Sequence, residues 1–336
     1  MNWRPQGMYE GKTILVTGGT GSWGQELTKK LLAQSPKEIR IFSRNEFLQV
    51  NMKRLFDHHE ALKFVIGDVR DYQSVNDAMQ NVDYVFHLAA LKHVPVCEFQ
   101  PGEALKTNVS GTENIIRASI SNRVKKVIDV STDKAVEPVN FYGMTKSFGE
   151  KLMIRANDNS DSTRFVCIRG GNVLGTNGSV VPIFKKQILE NKDVTLTSKA
   201  MTRFFLSVSE AIDLLLKASE AAIGGEIFVM KMNACRITDL IHVLSKQLAA
   251  NSISIKEIGI RPGEKLHEVL VSSYEAPHTF KYSNQYYVIL PTHPSNNLLK
   301  QYQHLPKATF KQYQSDDFLM SANEITDMLK HGGFLA

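Results

Sequence analysis

Short apolar runs rich in β-branched residues alternate with amphipathic stretches through the first half of the chain. The runs are predicted strands, and they cover residues 12–17, 38–42, 62–69, 82–90, 126–130 and 164–169. The run over 126–130 is typical of a buried strand in a parallel sheet. Helical patterns between them, such as the one over 25–32, predict a doubly wound α/β sheet with short right-handed crossovers.

The pattern becomes less regular after residue 170. The predicted elements there are helices over 209–218 and 238–249 and strands over 226–230 and 286–290. Ligands on doubly wound sheets bind at the carboxyl ends of the strands. We therefore expect residues 171–336 to form mainly a smaller substrate-binding region, interleaved with a first domain over 10–170.

A glycine-rich turn joins the first predicted strand to the first predicted helix. Gly18, Gly21 and Gly24 recur at every third position, and the intervening residues include Thr20, Ser22 and Trp23. Without side chains at the glycines, backbone N–H groups and the helix N-terminus can approach a pyrophosphate. The turn predicts a Rossmann-type dinucleotide-binding domain, with structural glycines in a tight turn as the alternative.

Later strand ends supply further candidate contacts to a dinucleotide. The second strand is followed by Ser43 and Arg44 and lacks the carboxylate that usually binds the adenosine ribose of NAD. These two residues can instead bind a 2′-phosphate, which favours NADP over NAD, although Arg44 could be a solvated surface charge. Asp68 is placed for the adenine edge, and the small Ala89 and Ala90 can lie against the cofactor.

Titratable residues follow the predicted strand over 126–130. Thr132, Asp133 and Lys134 come first, and Tyr142 and Lys146 follow with the spacing of one helical turn. A lysine ammonium on the same helical face can lower the pKa of a neighbouring phenol and make it a usable base. A surface helix that carries Tyr and Lys by chance is the alternative. His87, within an apolar run, is expected to be a core histidine.

The composition argues against nucleic-acid-binding, membrane-binding and metal-binding functions. The 336 residues are 43% hydrophobic with a formal charge of +6, and no block of basic residues indicates nucleic-acid or membrane binding. Cys97, Cys167 and Cys235 lack metal-ligand spacing, so we expect buried thiols and no metal site. No signal-peptide pattern and no apolar run of roughly 18 residues is found, and a cytoplasmic location is expected.

Several motifs together resemble the extended short-chain dehydrogenase/reductases, and within them the soluble UDP-N-acetylglucosamine 4,6-dehydratases. The matching segments are TGGTGSWG (17–24), FSR (42–44), GDVRD (67–71), AALKHVP (89–95), STDKA (131–135), Tyr142 with Lys146, MTRF (201–204) and RPGEKLHE (261–268). The resemblance covers residues 10 to 275. The last 60 residues add nothing recognisable.

The resemblance implies a redox-neutral loss of water from UDP-N-acetylglucosamine. Tyr142, with its pKa lowered by Lys146 and the nicotinamide ring, would take the proton of the C4 hydroxyl, and Thr132 would bind the same oxygen. Lys134 would be the base for C5, and Asp133 the acid for the leaving C6 hydroxyl. The family also implies a homo-oligomer that acts in nucleotide-sugar biosynthesis for surface glycans.

The resemblance also implies further binding residues. Val69 and Lys92 join the cofactor set, and the substrate set is Lys92, Asn172, Val180, Arg203, Arg261 and Glu264. Surface charge and a turn are the alternative explanation for the polar members of the substrate set. Relatives commonly have Arg-Tyr-Gly-Asn where this chain has Arg169, Gly170, Gly171 and Asn172, so extra room is expected near the sugar.

Four alternatives stay open at this point. The enzyme could retain C5 instead of inverting it, or release a 5,6-ene. A UDP-sugar 4-epimerase needs Tyr142 and Lys146 but has no use for Asp133 and Lys134. A non-catalytic NADP-binding regulator would typically have lost the Tyr or the Lys. The residues present favour the inverting dehydratase.

Overall fold

A large sheet forms the centre of the computed structural model, which describes residues 7–175, 180–248 and 253–335. Within these residues it has seven parallel strands, in the spatial order β3 (Leu62–Ile66), β2 (Glu38–Ser43), β1 (Thr13–Thr17), β4 (Tyr84–His87), β5 (Lys126–Thr132), β6 (Arg164–Gly170) and β10 (Ile227–Met230). Two antiparallel strands extend it beyond β10: β15 (Tyr286–Ile289) and β14 (Thr279–Lys281). The order 3-2-1-4-5-6 confirms the predicted doubly wound sheet.

Helices connect the parallel strands. They are α1 (Ser22–Leu32), α2 (Glu46–Leu55), α3 (Tyr72–Ala78), α4 (Val94–Phe99), α5 (Pro101–Leu105), α6 (Gly111–Ser121) and α7 (Phe141–Asp158). Side chains cap several of their N-termini: Asn45 accepts from the N–H of Leu48, and Asn140 accepts from the N–H of Gly143. A π-helical segment, Lys106–Ser110, joins α5 to α6.

Two predicted strands end earlier than the sequence indicated. The apolar runs over 62–69 and 82–90 form strands only to Ile66 and His87. Strand β3 ends beside the end of β2 at Ser43, whereas β5 continues to Thr132 beyond its last pairing with β4 at Asp129. The residues after Ile66 and His87 turn away as loops at the carboxyl edge of the sheet.

The second half of the chain contributes smaller sheets and the remaining helices. The sheets pair β7 (Asn172–Val173) and β11 (Asn233–Arg236) with β9 (Thr202–Leu206), β8 (Val194–Leu196) with β12 (Ile255–Glu257), and β13 (Val269–Val271) with β16 (Tyr313–Gln314). The helices are α8 (Val180–Leu189), α9 (Val208–Ala221), α10 (Ile237–Gln247), α11 (Asn296–Tyr302) and α12 (Ala322–His331). The end of the predicted helix over 238–249 lies outside the described residues.

The two halves of the chain are interleaved. Strands β10, β15 and β14 come from the second half but complete the large sheet. A separate apolar cluster joins α8, α10 and α12, with Phe184, Leu240 and Leu329 among its buried members. The domain division at residue 170 stays a prediction. In the part of the chain that the structure describes, no helix has the length and apolar character needed to cross a bilayer.

A buried ion-pair network ties the end of β6 to both halves. Arg169 is 1% exposed. Its Nη2 lies 2.7 Å from Glu150 Oε2 and 3.0 Å from Glu275 Oε1, and its Nη1 donates to the carbonyl of Leu270. Burial would raise the pKa of Glu275, but Arg169 outweighs it and lowers this pKa to about 2. The guanidinium therefore compensates two carboxylates from opposite halves of the chain.

Replacing this guanidinium is expected to destabilise the fold. Arg169→Ala leaves the carboxylates of Glu150 and Glu275 buried without a cation, which costs about 3–5 kcal/mol in the free energy of unfolding. Unfolding in urea measures this change in the free energy of unfolding. The control Arg155→Ala removes an exposed pair with Asp158 at 3.8 Å and should cost about 0–1 kcal/mol. Equal losses in the two variants would contradict a structural role for the network.

Candidate active site

A cavity of about 700 Å³ opens at the carboxyl ends of β1 to β5. This volume lies within the range of about 300–1,000 Å³ that is typical of small-molecule sites. The structure brings together at its wall all the residues predicted to contact a dinucleotide: Gly18, Thr20, Gly21, Ser22, Trp23, Gly24, Ser43, Arg44, Asp68, Val69, Ala89, Ala90, Lys92, Tyr142 and Lys146.

The glycine turn allows a close approach to the N-terminus of α1. Gly18 has φ +65°, and a Cβ there would lie 2.9 Å from the backbone of Ala89. A Cβ on Gly24 would lie 2.2 Å from the carbonyl oxygen of Gly19. No side chain caps α1 at Gly21, in contrast to α2 and α7. The N–H groups of the first turn therefore face the cavity as an anion site, and these features fit a dinucleotide pyrophosphate.

A polar cluster follows β2 and β3 at the far end of the cavity. Ser43 Oγ accepts from Gln49 Nε2 at 3.0 Å, which leaves its own proton free to donate. Asp68 binds Arg70 through two hydrogen bonds of 2.8 and 2.6 Å, and this pairing outweighs burial and lowers the pKa of Asp68. Arg44 Nη1 lies 3.8 Å from Asp68, so its half-exposed guanidinium is only loosely paired. It can bind another anion.

Tyr142 and Lys146 project from the first turns of α7 into the cavity wall. Lys146 Nζ lies 3.3 Å from both carboxylate oxygens of Asp129, which is fully buried on β5. Burial raises the pKa of Tyr142, and the charge of Lys146 offsets only part of this effect. The lowered pKa that the sequence analysis expects is therefore not found in the protein alone.

Lys134 is held by three acceptors. Its Nζ lies 3.0 Å from Asp133 Oδ1, 3.1 Å from Asn172 Oδ1 and 3.4 Å from Glu268 Oε1. Burial would lower the pKa of Lys134, but the two carboxylates outweigh it and raise this pKa. Burial and the charge of Glu268 raise the pKa of Asp133, whose Oδ1 also accepts from Thr132. The buried pair thus places a potential acid beside an ammonium.

The residues predicted to bind substrate fall into two groups. Lys92, Asn172 and Val180 line the cavity, whereas Arg203, Arg261 and Glu264 are not among its described lining residues. The guanidinium of Arg203 is buried and donates to nearby backbone carbonyls, which are those of Thr202, Lys265 and Leu266. The role of these residues in substrate binding stays a prediction.

The extra room expected beside Gly170 is not an extension of the cavity. Gly170 is buried and is not a described lining residue, whereas Gly171 is one. A Cβ on Gly170 would lie 3.2 Å from the sulfur of Met230, a core residue that is 1% exposed. Met230 therefore occupies the space next to this glycine.

Sequence reasoning missed several residues of the site. Asn108 binds both backbone groups of Leu91 and the hydroxyl of Thr145, and so ties the loop after β4 to α7. Thr107 lines the cavity, and its buried hydroxyl has no partner among the described residues. Both lie in the π-helical segment, a feature often found at functional sites. Asp129 could have been found from the sequence, since an acid inside an apolar run is unusual. Glu268 is the last residue of the RPGEKLHE motif (261–268), but no role was assigned to it.

His87 behaves as the sequence predicted. Its Nδ1 lies 2.8 Å from Thr17 Oγ1, its Nε2 lies 3.3 Å from Thr112 Oγ1, and burial lowers its pKa to about 3. It is a neutral, hydrogen-bonded core residue.

Comparisons with known proteins give a consistent result. The chain matches the family described as "Polysaccharide biosynthesis protein" over residues 14–290. A Campylobacter jejuni protein named UDP-N-acetylglucosamine 4,6-dehydratase (inverting) is 46% identical over 289 residues, which are 85% of this chain and 84% of the relative. A Rickettsia typhi protein named UDP-glucose 4-epimerase is 48% identical over 272 residues, 79% of each chain.

A solved structure covers nearly the whole chain. The X-ray structure of Pen from Bacillus thuringiensis is 36% identical and superposes with a TM-score of 0.87. The match covers 96% of this chain and 99% of Pen. The overall fold is therefore shared from end to end.

The buried carboxylate of Asp129 is expected to set the proton affinity of Tyr142 and Lys146. Because a nearby negative charge favours bound protons, Asp129→Asn should make this pair lose its first proton at a pH lower by about one unit. Titration of tyrosinate absorbance, with Tyr142→Phe subtracted, measures the shift. The control Asp158→Asn removes a carboxylate that pairs with Arg155 at the end of α7 and should leave the titration unchanged. An unshifted Asp129→Asn titration would show that Asp129 exerts no charge on Tyr142.

Proposed function

This chain belongs to the polysaccharide biosynthesis protein family, and from that premise we propose that it is an NADP-dependent UDP-N-acetylglucosamine 4,6-dehydratase. The observation that carries the proposal is the ion pair of Asp133 and Lys134 at the end of β5. Lys134 lines the same cavity as Tyr142, and the buried Asp133, which is not a described lining residue, lies behind Lys134. The relative from Campylobacter jejuni has this activity in its name. An acid, a base and a phenol are the groups that the reaction needs.

The glycine turn and the uncapped N-terminus of α1 would hold the pyrophosphate of the cofactor. When bound, the oxidised nicotinamide supplies a positive ring and a reversible acceptor for the hydrogen of sugar C4. Ser43 and Arg44 would bind a 2′-phosphate, since one retains a free hydroxyl proton and the other is only loosely paired. The lack of a carboxylate at this position supports NADP over NAD.

Tyr142 would take the proton from the C4 hydroxyl oxygen. Its raised pKa shows that Lys146, already paired with Asp129, supplies too little positive charge by itself. A second positive charge near the phenol is needed before it can act as a base near neutral pH. Thr132, on the cavity wall, would bind the same sugar oxygen once its hydroxyl turns its single proton away from Asp133 Oδ1, to which it donates in the structure.

Asp133 and Lys134 would carry out the loss of water from C5 and C6. Transfer of one proton from Lys134 to Asp133 converts the ion pair into a neutral amine and a carboxylic acid. The amine then takes the C5 proton, and the acid gives its proton to the departing C6 hydroxyl, which leaves as water. Both groups return to the charged pair seen in the structure, so the proton count of this elimination closes. Return of the C4 hydrogen to C6 then requires a proton at C5, which solvent supplies, and Tyr142 releases to solvent the proton that it took from the C4 hydroxyl.

An epimerase is the second candidate, because the Rickettsia typhi relative bears that name at similar identity. Epimerisation at C4 needs Tyr142 and Lys146 but no proton transfer at C5 or C6. Lys134 reaches the cavity with 23% of its side chain exposed, and Asp133 lies directly behind it. A buried pair of this kind is costly to maintain without a chemical role, which favours the dehydratase. The named relative favours inversion at C5.

Two further properties are part of the proposal. We expect a homo-oligomer, because α4, α5 and α7 expose apolar side chains near the site: Val96, Phe99, Leu105 and Phe148. We expect a cytoplasmic location, because Cys97, Cys167 and Cys235 are free thiols, as is usual in a reducing compartment.

Incubation with UDP-N-acetylglucosamine in deuterated water tests the dehydratase. The expected product has lost one water and carries deuterium at C5, as read by mass spectrometry and proton NMR. Ring proton couplings distinguish inversion from retention, and an alkene proton would indicate release of a 5,6-ene. UDP-N-acetylgalactosamine without deuterium would instead establish the epimerase, and an unchanged substrate would contradict both.

Variants of the site separate the steps of the same reaction. Lys134→Ala and Asp133→Asn should each lower dehydration by about 10²–10⁴-fold, the usual contribution of a general acid or base. Tyr142→Phe should also abolish oxidation at C4. Dehydration at the wild-type rate in Lys134→Ala would rule out its role as the C5 base.

Arg44→Ala tests the preference for NADP. Loss of a charge-assisted hydrogen bond should weaken NADP binding by about tenfold or more, because such bonds contribute about 1.5–3 kcal/mol. Binding of NAD should change little, since NAD lacks the 2′-phosphate. Fluorescence titration with each dinucleotide measures the two dissociation constants, and equal weakening would contradict recognition of the phosphate by Arg44.

A further inference from the structure

Glu268 is a buried carboxylate behind the cavity wall, and it lies between the ammonium of Lys134 and the guanidinium of Arg203. It is 2% exposed, and its Oε1 lies 3.4 Å from Lys134 Nζ and 3.6 Å from Arg203 Nε. Its other oxygen, Oε2, has no hydrogen-bond partner among the described residues. Glu268 does not line the cavity, and the reaction steps above give it no proton to transfer.

The C-terminal part of the chain holds Glu268 in place. Its N–H donates to Ser315 Oγ at 2.9 Å, and the N–H of Ser315 donates to the Glu268 carbonyl at 2.9 Å. Ser315 Oγ also lies 2.6 Å from Thr202 Oγ1. Ser315 is fully buried and follows β16, which pairs with β13 immediately after Glu268. The segment that carries no recognisable motif thus reaches the candidate catalytic pair.

The charged groups around Glu268 come from several elements. Lys134 and Asp133 follow β5, Arg203 lies on β9, and Lys265 lies in the preceding loop. Arg203 is also 3.5 Å from Glu264, and His267 pairs with Thr202 and Asp316. The cations outweigh burial and lower the pKa of Glu268, whereas the pKa of Asp133 is raised. Glu268 therefore stays ionised while Asp133 is the carboxylate that can take a proton.

We propose that Glu268 is a positioning residue for the C5 and C6 steps of the dehydratase. It serves as the third acceptor that fixes Lys134 Nζ beside Asp133, and its fixed negative charge retains the proton that these two residues share. This inference rests on the proposed function. Arg203 has a part in it as the permanent counter-ion of Glu268, because its guanidinium remains paired when Lys134 becomes neutral.

The charge of Glu268 should affect the pH dependence of the dehydration rate in one direction. A negative charge next to Lys134 and Asp133 makes the shared proton harder to remove. Without it, the pair should lose this proton at a lower pH. The alkaline limb of the dehydration rate, which is the fall of this rate at high pH, should therefore move to lower pH. The pH dependence of C4 oxidation, which uses Tyr142, should stay unchanged.

Glu268→Gln is the main test, since it removes the charge and keeps the shape. In deuterated water, C5 exchange and dehydration should slow at least about tenfold, and their alkaline limb should fall by about one pH unit. Reduced nicotinamide absorbance should build up, because C4 oxidation continues. Glu268→Asp keeps the charge and should restore the wild-type alkaline limb. A wild-type rate and limb in Glu268→Gln would overturn the proposal.

Ser315→Ala provides a second test that does not change any charge. It should slow C5 exchange without moving the alkaline limb, and this comparison stands even if Glu268→Gln does not fold. A wild-type exchange rate in Ser315→Ala would overturn the role of the C-terminal segment. The wild-type protein distinguishes failure of the proposed function from failure of this inference. If it forms no dehydrated sugar, the proposed function is refuted. If it dehydrates the sugar but the rate is insensitive to Glu268, only this inference is refuted.

Discussion

The proton shared by Asp133 and Lys134 is the constraint on which the rest of the site depends. A buried ammonium is tolerated only when it is paired, and here Asp133, Asn172 and Glu268 supply acceptors for its three N–H groups. The same pairing keeps the amine charged at rest. The chemistry requires the opposite state, a neutral amine beside a protonated acid. In the proposed mechanism, one internal proton transfer would switch the pair between these two states.

Charge is also compensated beside Tyr142. Lys146 cannot be buried alone, and Asp129 on β5 neutralises it at 3.3 Å. This compensation reduces the effect of Lys146 on the phenol, whose pKa stays raised by burial. Lys134 and Lys146 are therefore each stabilised by acids that also restrain their reactivity. Such restraint fits an enzyme whose cofactor must be present before any proton moves.

The sequence predicted the fold and much of the cavity wall. Strand and helix periodicity, together with the glycine turn, located the parallel sheet and the residues that the structure assembles around α1. Local patterns could not predict pairings between distant segments, such as Glu268 with Lys134 or Glu275 with Arg169. They also overestimated two strands, because an apolar run does not show where the chain leaves the sheet. Local patterns also could not show how strongly burial opposes the effect of Lys146 on the pKa of Tyr142, since burial is a property of the whole fold.

The interleaving of the chain has a consequence for its synthesis on the ribosome. Strand β6 remains an edge strand until β10 emerges, and Arg169 lacks one of its carboxylate partners until Glu275 has been made. Domains generally fold as units during translation, with the N-terminal part first. Here the nascent sheet must wait with an unpaired edge and with a guanidinium that is paired only with Glu150. Nascent chains of this protein should therefore depend on protection from aggregation until the second half arrives.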